Sequence, residues 1–269
     1  MYTTDARTDS MNSAALNAAK TQLRSLMKQR LKGISNESIS QQSQNVFNSL
    51  RSFRPYMDAK RVAVYLAMPG GEIQTDLIVR HALQSGKQVF VPYLHKSGLA
   101  AGEGPSRLMD MVSLAGIEDY ESLEPDKWGI PSVDAATVGR RQRSIGELEG
   151  SPAEDAPLDL ILLPGVAFDT DPDTGAVRRL GHGKGFYDYF LHRYALKAAA
   201  AREDKKVSSG DRAAVLLYAL GLREQFLMPI EDGKQGPAVP VEPHDQPLDG
   251  LLLGDGQIKL SADRARAET

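Results

Sequence analysis

The chain has 269 residues, 41% hydrophobic and 25% charged, a globular composition that argues against a disordered or fibrous protein. Its net charge of -3 offers no overall basic field for nucleic acid, and the absence of cysteine removes disulfides, thiolate zinc sites and cysteine nucleophiles. No apolar run approaches the ~20 residues of a membrane-spanning helix, and the N-terminal stretch with Asp5 and Asp9 lacks the apolar core of a secretory signal.

Residues 1 to 12 read as a disordered polar tail. From 13 to 32, Leu16, Leu23, Leu26 and Met27 recur at helical spacings in a stretch rich in Ala, Lys and Gln, and Gly33 ends that helix. Ser35 is a cap for a second helix carrying Ile39, Val46, Phe47 and Leu50, stopped near Pro55. RVAVYLA at 61 to 67 is a β-branched run suited to a parallel strand buried on both faces. Thr75 caps a helix from Asp76 to Gln84, and KQVFVP at 87 to 92 is the next strand. This βαβ unit requires a parallel sheet and makes Met68 to Gln74 a loop at a strand's carboxyl end, where ligands of open α/β sheets bind.

A strand is expected at Arg107 to Val112, within an insertion at about 97 to 120. Residues 134 to 157 read as a surface insertion whose charges are solvated, and LDLILLP at 158 to 164 as the central strand. Residues 184 to 200 look helical, 201 to 212 form a polar insertion, and strands are expected at 213 to 220 and 251 to 253. The alternation defines one α/β domain over 13 to 260, followed by a tail at 261 to 269.

Chemistry concentrates after the central strand, in Arg178-Arg179-Leu180-Gly181-His182-Gly183-Lys184-Gly185-Phe186-Tyr187-Asp188. Three alternate glycines let backbone amides approach an anion, a helix starting there adds the positive end of its dipole, and Arg178, Arg179 and Lys184 supply full charges. Both GxxxxGK[ST] and GxGxxG are absent, so neither a Walker loop nor a dinucleotide fold is supported. A tight strand-to-helix turn would use the same glycines, and Asp188 suits either a magnesium ligand or an acid at a helix N-terminus.

LDLILLPGVAFD followed by RRLGHGKGFYD resembles the signature of the 5-formyltetrahydrofolate cyclo-ligase family, also called 5,10-methenyltetrahydrofolate synthetases. KTQLR at 20 to 24, YLAMPGGEIQT at 65 to 75, KWGIP at 127 to 131, and Pro243-His244-Asp245 before Leu248-Asp249 fall in that family's order, so the resemblance spans 20 to about 255. It implies a three-layer αβα domain with a mainly parallel sheet, similar to the NagB/RpiA/CoA-transferase-like architecture. It also implies conversion of 5-formyltetrahydrofolate to 5,10-methenyltetrahydrofolate with ATP and Mg2+. By the same resemblance, Lys20 and Arg24 reach ATP from the first helix, Arg179 through Tyr187 wrap its phosphates, and Asp188 and Asp245 place the magnesium. Leu66, Met68, Glu72, Trp128 and Tyr187 meet the folate, and Lys184 stabilises the transferring phosphoryl group.

Each of these residues also has an ordinary structural reading: a solvated helix face for Lys20 and Arg24, a loop acid for Glu72 and Asp245, core packing for Leu66, Met68 and Trp128. His182 stands where the family carries a basic residue, and Phe186 where tyrosine is common. The expected partners are ATP and a folate, with or without a polyglutamate tail, met by a monomer in the cytoplasm, with mitochondrial import left open. A similar architecture serves phosphosugar isomerases and acyl-CoA transferases, which ATP dependence separates; a silent nucleotide- or folate-binding regulator is separated by turnover.

Overall fold

A computed structural model describes residues 6–98, 104–145, 157–204, 215–228, 237–242 and 245–267. The chain opens with α1 (Ala6–Lys32), α2 (Asn36–Arg51) and a short α3 (Arg54–Asp58). Residues 6 to 12, expected in the tail, carry helical backbone; no Gly or Pro interrupts them, and a nucleated helix extends readily through such residues. Ser35 caps α2, its Oγ accepting the N–H of Ser38. Pro55 sits in the first turn of α3, where its missing N–H is not needed.

β1 (Arg61–Val64), α4 (Asp76–Gln84) and β2 (Gln88–Lys96) form the βαβ unit, with the two strands parallel. β3 (Arg107–Ser113) runs antiparallel to β2, and α5 (Ile117–Glu121) and a minimal ribbon of β4 (Glu124–Pro125) with β5 (Pro131–Ser132) follow. β6 (Leu160–Leu163) leads into an antiparallel hairpin of β7 (Ala167–Thr170) and β8 (Val177–Leu180), and then α6 (Phe186–Asp204). β9 (Leu216–Gly221), β10 (Gly250–Leu253), β11 (Ile258–Leu260) and α7 (Ala262–Ala267) complete the chain, so a short helix occupies most of the segment expected as a C-terminal tail.

The main sheet runs β11-β10-β9-β6-β1-β2-β3. Its five inner strands are parallel and both edge strands antiparallel. All four residues of β6 are buried, as a strand covered on both faces requires. Successive side chains alternate between faces. Val62, Val64, Leu160 and Leu162 pack with Val46 and Leu50 of α2 and Ile78 and Val79 of α4. Ala63, Ile161 and Leu163 pack with Phe190 and Leu191 of α6 on the other side. Helices therefore cover both faces in three layers.

The charges of the 134–157 insertion are not simply solvated. Val138 and Ile145 are buried, Arg141 grips Asp119 through two bonds of 2.6 Å, and buried Arg143 donates to Asp110 on β3 at 2.8 Å. Asp110 also receives Arg193 of α6 and meets His95, each at 3.0 Å; a buried carboxylate requires such partners, which is why these arginines fold inward. α6 continues through 201 to 204, the first residues of the insertion expected at 201 to 212, and residues 99–103, 146–156 and 205–214 lie outside the described residues, so the strand expected at 213 to 220 is seen from Leu216. Among the described residues no helix is long and apolar enough to cross a membrane.

β1 proceeds to β2 on one side and β6 to β9 and β10 on the other. The strand order thus reverses between β1 and β6, the position at which open α/β sheets form a ligand crevice.

Candidate active site

The loop after β1 is tied to itself. Tyr65 donates its hydroxyl to the Ile73 carbonyl at 2.8 Å, and Thr75 donates to the Tyr65 carbonyl at 2.7 Å. Thr75 thus occupies the cap position of α4 while its hydroxyl serves the loop instead of the helix. Gln74 Nε2 donates to the carbonyls of Met68 and Glu72, both at 3.0 Å. Glu72 is only 4% exposed, and its Oε1 accepts the Met68 N–H at 2.6 Å. Burial pushes its carboxyl up to about 7, against the opposing effect of that N–H. Leu66 packs in the core and Met68 is half-buried.

In the β7-β8 hairpin, Arg178 pairs with Asp169 across the strands and also binds Asp171 at 2.7 Å. Arg178 is therefore neutralised within the hairpin and is not part of an anion cradle as the charge pattern suggested. Strand alternation sends Arg179 to the opposite face. Its guanidinium donates to Asp188 Oδ1 at 2.5 Å and lies 5.7 Å from the centre of the Tyr187 ring.

Arg24 of α1 donates its Nε to the Gly181 carbonyl at 2.9 Å. Gly183 and Gly185 have φ of +87° and +67°, and a Cβ on Gly183 would sit 3.0 Å from the Arg24 guanidinium carbon. Glycine thus permits both the turn and the close approach of the arginine. Leu180 is buried against Leu23 and Met27 of α1, Phe186 is half-buried, and Lys184 and His182 face solvent. Desolvation within the loop, then repulsion by Arg179 and Arg24, lowers the His182 pKa below its ordinary value.

The two loops meet at Tyr187. Its hydroxyl is buried with no hydrogen-bond partner, and burial, opposed by Arg179 and reinforced by Glu72, drives its pKa far above the usual tyrosine range. Tyr65 is raised for the same first reason, with Glu72 and Tyr187 adding. An orphaned buried hydroxyl is the kind of incomplete polar group that a ligand satisfies.

Lys20 of α1 is 7% exposed, and its Nζ lies 2.7 Å from Glu242 Oε2 and 2.8 Å from Asp245 Oδ2. Those two acids, first Asp245 and then Glu242, outweigh desolvation and raise the lysine pKa. The strand-like segment before them is anchored by the Val239 N–H, which donates to Asp169 Oδ2 at 2.8 Å. Pro243 and His244 lie outside the described residues.

Trp128 is 56% exposed, on a turn held by Asp126 Oδ1, which accepts the N–H groups of Trp128 and Ile130 at 2.8 and 3.0 Å. Gly129 brings that turn onto the loop after β1: a Cβ there would come 2.7 Å from Pro69 Cγ. Lys127 lies over the indole at 4.2 Å. The turn thus borders the Glu72 loop and holds the indole largely exposed, with Lys127 over the ring.

Asp188 and Asp245 offer hard oxygen donors suited to magnesium. Among the described residues the hydrogen bond to Asp188 uses Oδ1 and those to Asp245 use Oδ2, which leaves the other oxygen of each carboxylate to a cation. Among the described residues no three His or acidic side chains converge on a metal position. Magnesium commonly takes one or two carboxylates and completes its shell with phosphates and water, so this donor set fits it.

The sequence did not single out Glu242, Asp169 in its anchoring role, or Gln225, which is buried and donates to the Gly165 carbonyl at 2.6 Å. Glu242 lies in a Gly/Pro-rich stretch without periodicity; only Asp169 carried a signal, as the last residue of the LDLILLPGVAFD string.

A glycine-rich loop gripped by an N-terminal helix, beside the switch point of a mainly parallel sheet, is the place where α/β proteins of this architecture carry a ligand crevice. A model of the 5-formyltetrahydrofolate cyclo-ligase family matches residues 16–254. The chain is 33% identical over 214 residues to a probable 5-formyltetrahydrofolate cyclo-ligase of Caenorhabditis elegans, covering 80% of this chain and 86% of that protein. It is 30% identical over 245 residues to a 5-formyltetrahydrofolate cyclo-ligase of Mus musculus, covering 91% and 98%. The NMR structure of Aquifex aeolicus 5,10-methenyltetrahydrofolate synthetase shares the fold, with a TM-score of 0.54 at 20% identity over 91% of this chain and 93% of that one. The chain belongs to the 5-formyltetrahydrofolate cyclo-ligase family and is an enzyme of that family.

Proposed function

We propose that this enzyme converts 5-formyltetrahydrofolate to 5,10-methenyltetrahydrofolate, consuming ATP and releasing ADP and phosphate. The observation that carries the reading is that Tyr187, which follows the glycine loop, packs against the core cluster that includes Tyr65, Leu66 and Ile73 around Glu72; this supports one crevice with an anion-binding side and an acceptor for ring N–H groups. In this reaction the formyl oxygen takes the γ-phosphoryl group from ATP. N10 then attacks the activated carbon and loses its proton, and the carbon–oxygen bond breaks as phosphate leaves.

Positioning and charge neutralisation, with no covalent protein nucleophile, are what phosphoryl transfer demands of the chain. Arg24, Lys20 and the loop from Arg179 to Tyr187 hold the triphosphate, and exposed Lys184 follows the transferring group. Glu72, Leu66, Met68, Trp128 and Tyr187 bound the folate side. Asp188 and Asp245 hold magnesium, which when bound neutralises phosphate charge. The test is appearance of methenyltetrahydrofolate absorbance from 5-formyltetrahydrofolate, with ATP or magnesium withheld in parallel. Product that requires both is expected; none from folded, ATP-binding protein would overturn the reading.

A further inference from the structure

Lys20 has three ammonium protons, and two are directed to Glu242 Oε2 and Asp245 Oδ2, at 2.7 and 2.8 Å. Arg24, one helical turn on, donates to Gly181 and packs beneath Gly183, so this face of α1 is turned toward the phosphate loop. Glu242 does not owe its place to the lysine alone. Val239, three residues earlier, is buried with Leu23 and Met27 of α1, and its N–H is tied to Asp169. Asp245 is the acid the reading above assigns to a cation through the oxygen Lys20 does not use, so its charge is shared between that cation and the ammonium. Glu242 is then the partner whose charge serves the ammonium without a cation on it.

We infer that Glu242 is a positioning residue that holds Lys20 at the phosphate loop. The inference rests on the reading that Lys20 contacts nucleotide phosphate. It makes a prediction opposite in sign to simple electrostatics. A carboxylate near a triphosphate repels it, so deleting that charge alone should tighten ATP binding. If the carboxylate instead orders the lysine, deleting it weakens binding.

The experiment is ATP affinity by titration calorimetry on the full chain with magnesium and no folate, for wild type, Glu242→Ala, Glu242→Gln, Lys20→Met and the Lys20→Met, Glu242→Ala double variant. Thermal midpoints are recorded for each. Glu242→Ala is expected to weaken binding by roughly tenfold, the scale of coupling between contacting charged groups. Glu242→Gln, which keeps the acceptor and loses the charge, falls between it and wild type. Lys20→Met weakens binding at least as much, and adding Glu242→Ala to it causes no further loss. If Lys20→Met weakens binding while Glu242→Ala leaves it unchanged or tighter, the inference fails and the nucleotide reading stands. Equal loss from Glu242→Ala in both backgrounds also overturns it, because the acid then does not act through the lysine. If Lys20→Met has no effect on ATP affinity, the placement of Lys20 at the nucleotide falls first.

Discussion

The two loops of the crevice are built on opposite principles. In the loop after β6 and its hairpin, His182, Gly183, Lys184 and Gly185 are exposed, and the stabilising contacts come from outside it, from Arg24, and from Arg179 to Asp188. In the loop after β1 most ties are internal, from Tyr65, Gln74 and Thr75, with one bond from the Gln74 N–H to Ser43 of α2, and the one acid is almost wholly buried. Under the reading proposed above, a loop that receives a polyanion from water can leave Lys184 hydrated until the ligand arrives, which makes that lysine dispensable for folding. The Glu72 carboxyl, proposed to accept ring donors, is desolvated already in the folded protein, which opposes folding when the group is charged.

The largest expected effect tests the first half of that contrast. Lys184→Ala should lower turnover by about 10² to 10³, as loss of one preorganised electrostatic contact does, with its thermal midpoint close to wild type. Near-normal turnover would remove Lys184 from the chemistry, and a large drop in midpoint would erase the distinction between the loops.

The second prediction concerns Glu72. Its folded carboxyl is raised from 4.5 to about 7, so the folded state holds its proton more tightly than the unfolded state does. Native stability attributable to this group is therefore greatest below pH 4.5 and declines as pH rises through about 7. Glu72→Gln keeps an acceptor for the Met68 N–H and cannot ionise. It should be more stable than wild type at pH 8, by on the order of 3 kcal/mol, with the difference vanishing near pH 4 and with loss of activity. Denaturant melts at the two pH values check this; a pH-independent difference would mean that the fold leaves the Glu72 pKa at its unfolded value.

The smallest effect belongs to His182. Its free-loop pKa is lowered by desolvation and by Arg179 and Arg24, and a bound triphosphate would favour the protonated ring. ATP affinity should therefore rise by a few-fold as pH falls from neutral to mildly acidic, and His182→Asn should flatten that part of the profile. Identical pH profiles for the two proteins would show that the imidazole is not sensed by the nucleotide.

Much of the fold was legible because its signals are local. The β-branched run at 61 to 67, the Ser35 cap and the apolar spacing of the first helix each report on a few neighbouring residues, and the structure contains the elements they imply, the strand ending at Val64. The β7-β8 hairpin was not legible as strands: its members are four residues long, and β8 carries two arginines where an apolar alternation would be read. The antiparallel direction of β3 and the three-residue edge strand β11 were equally hidden, since strand direction follows from connection geometry and so short a run has no measurable period.

The sequence by itself determined the βαβ core, the glycine loop after the central strand and the family, because hydrophobic period, turn chemistry and motif spacing are written in consecutive residues. Only the tertiary structure decided which charges remain for a ligand. It joined Lys20 to Glu242 and Asp245 across 222 and 225 residues of chain, and it turned Arg178 away from the crevice while keeping Arg179 beside Tyr187. Ion pairs form between groups that folding brings together, and no local pattern along the chain specifies which they will be.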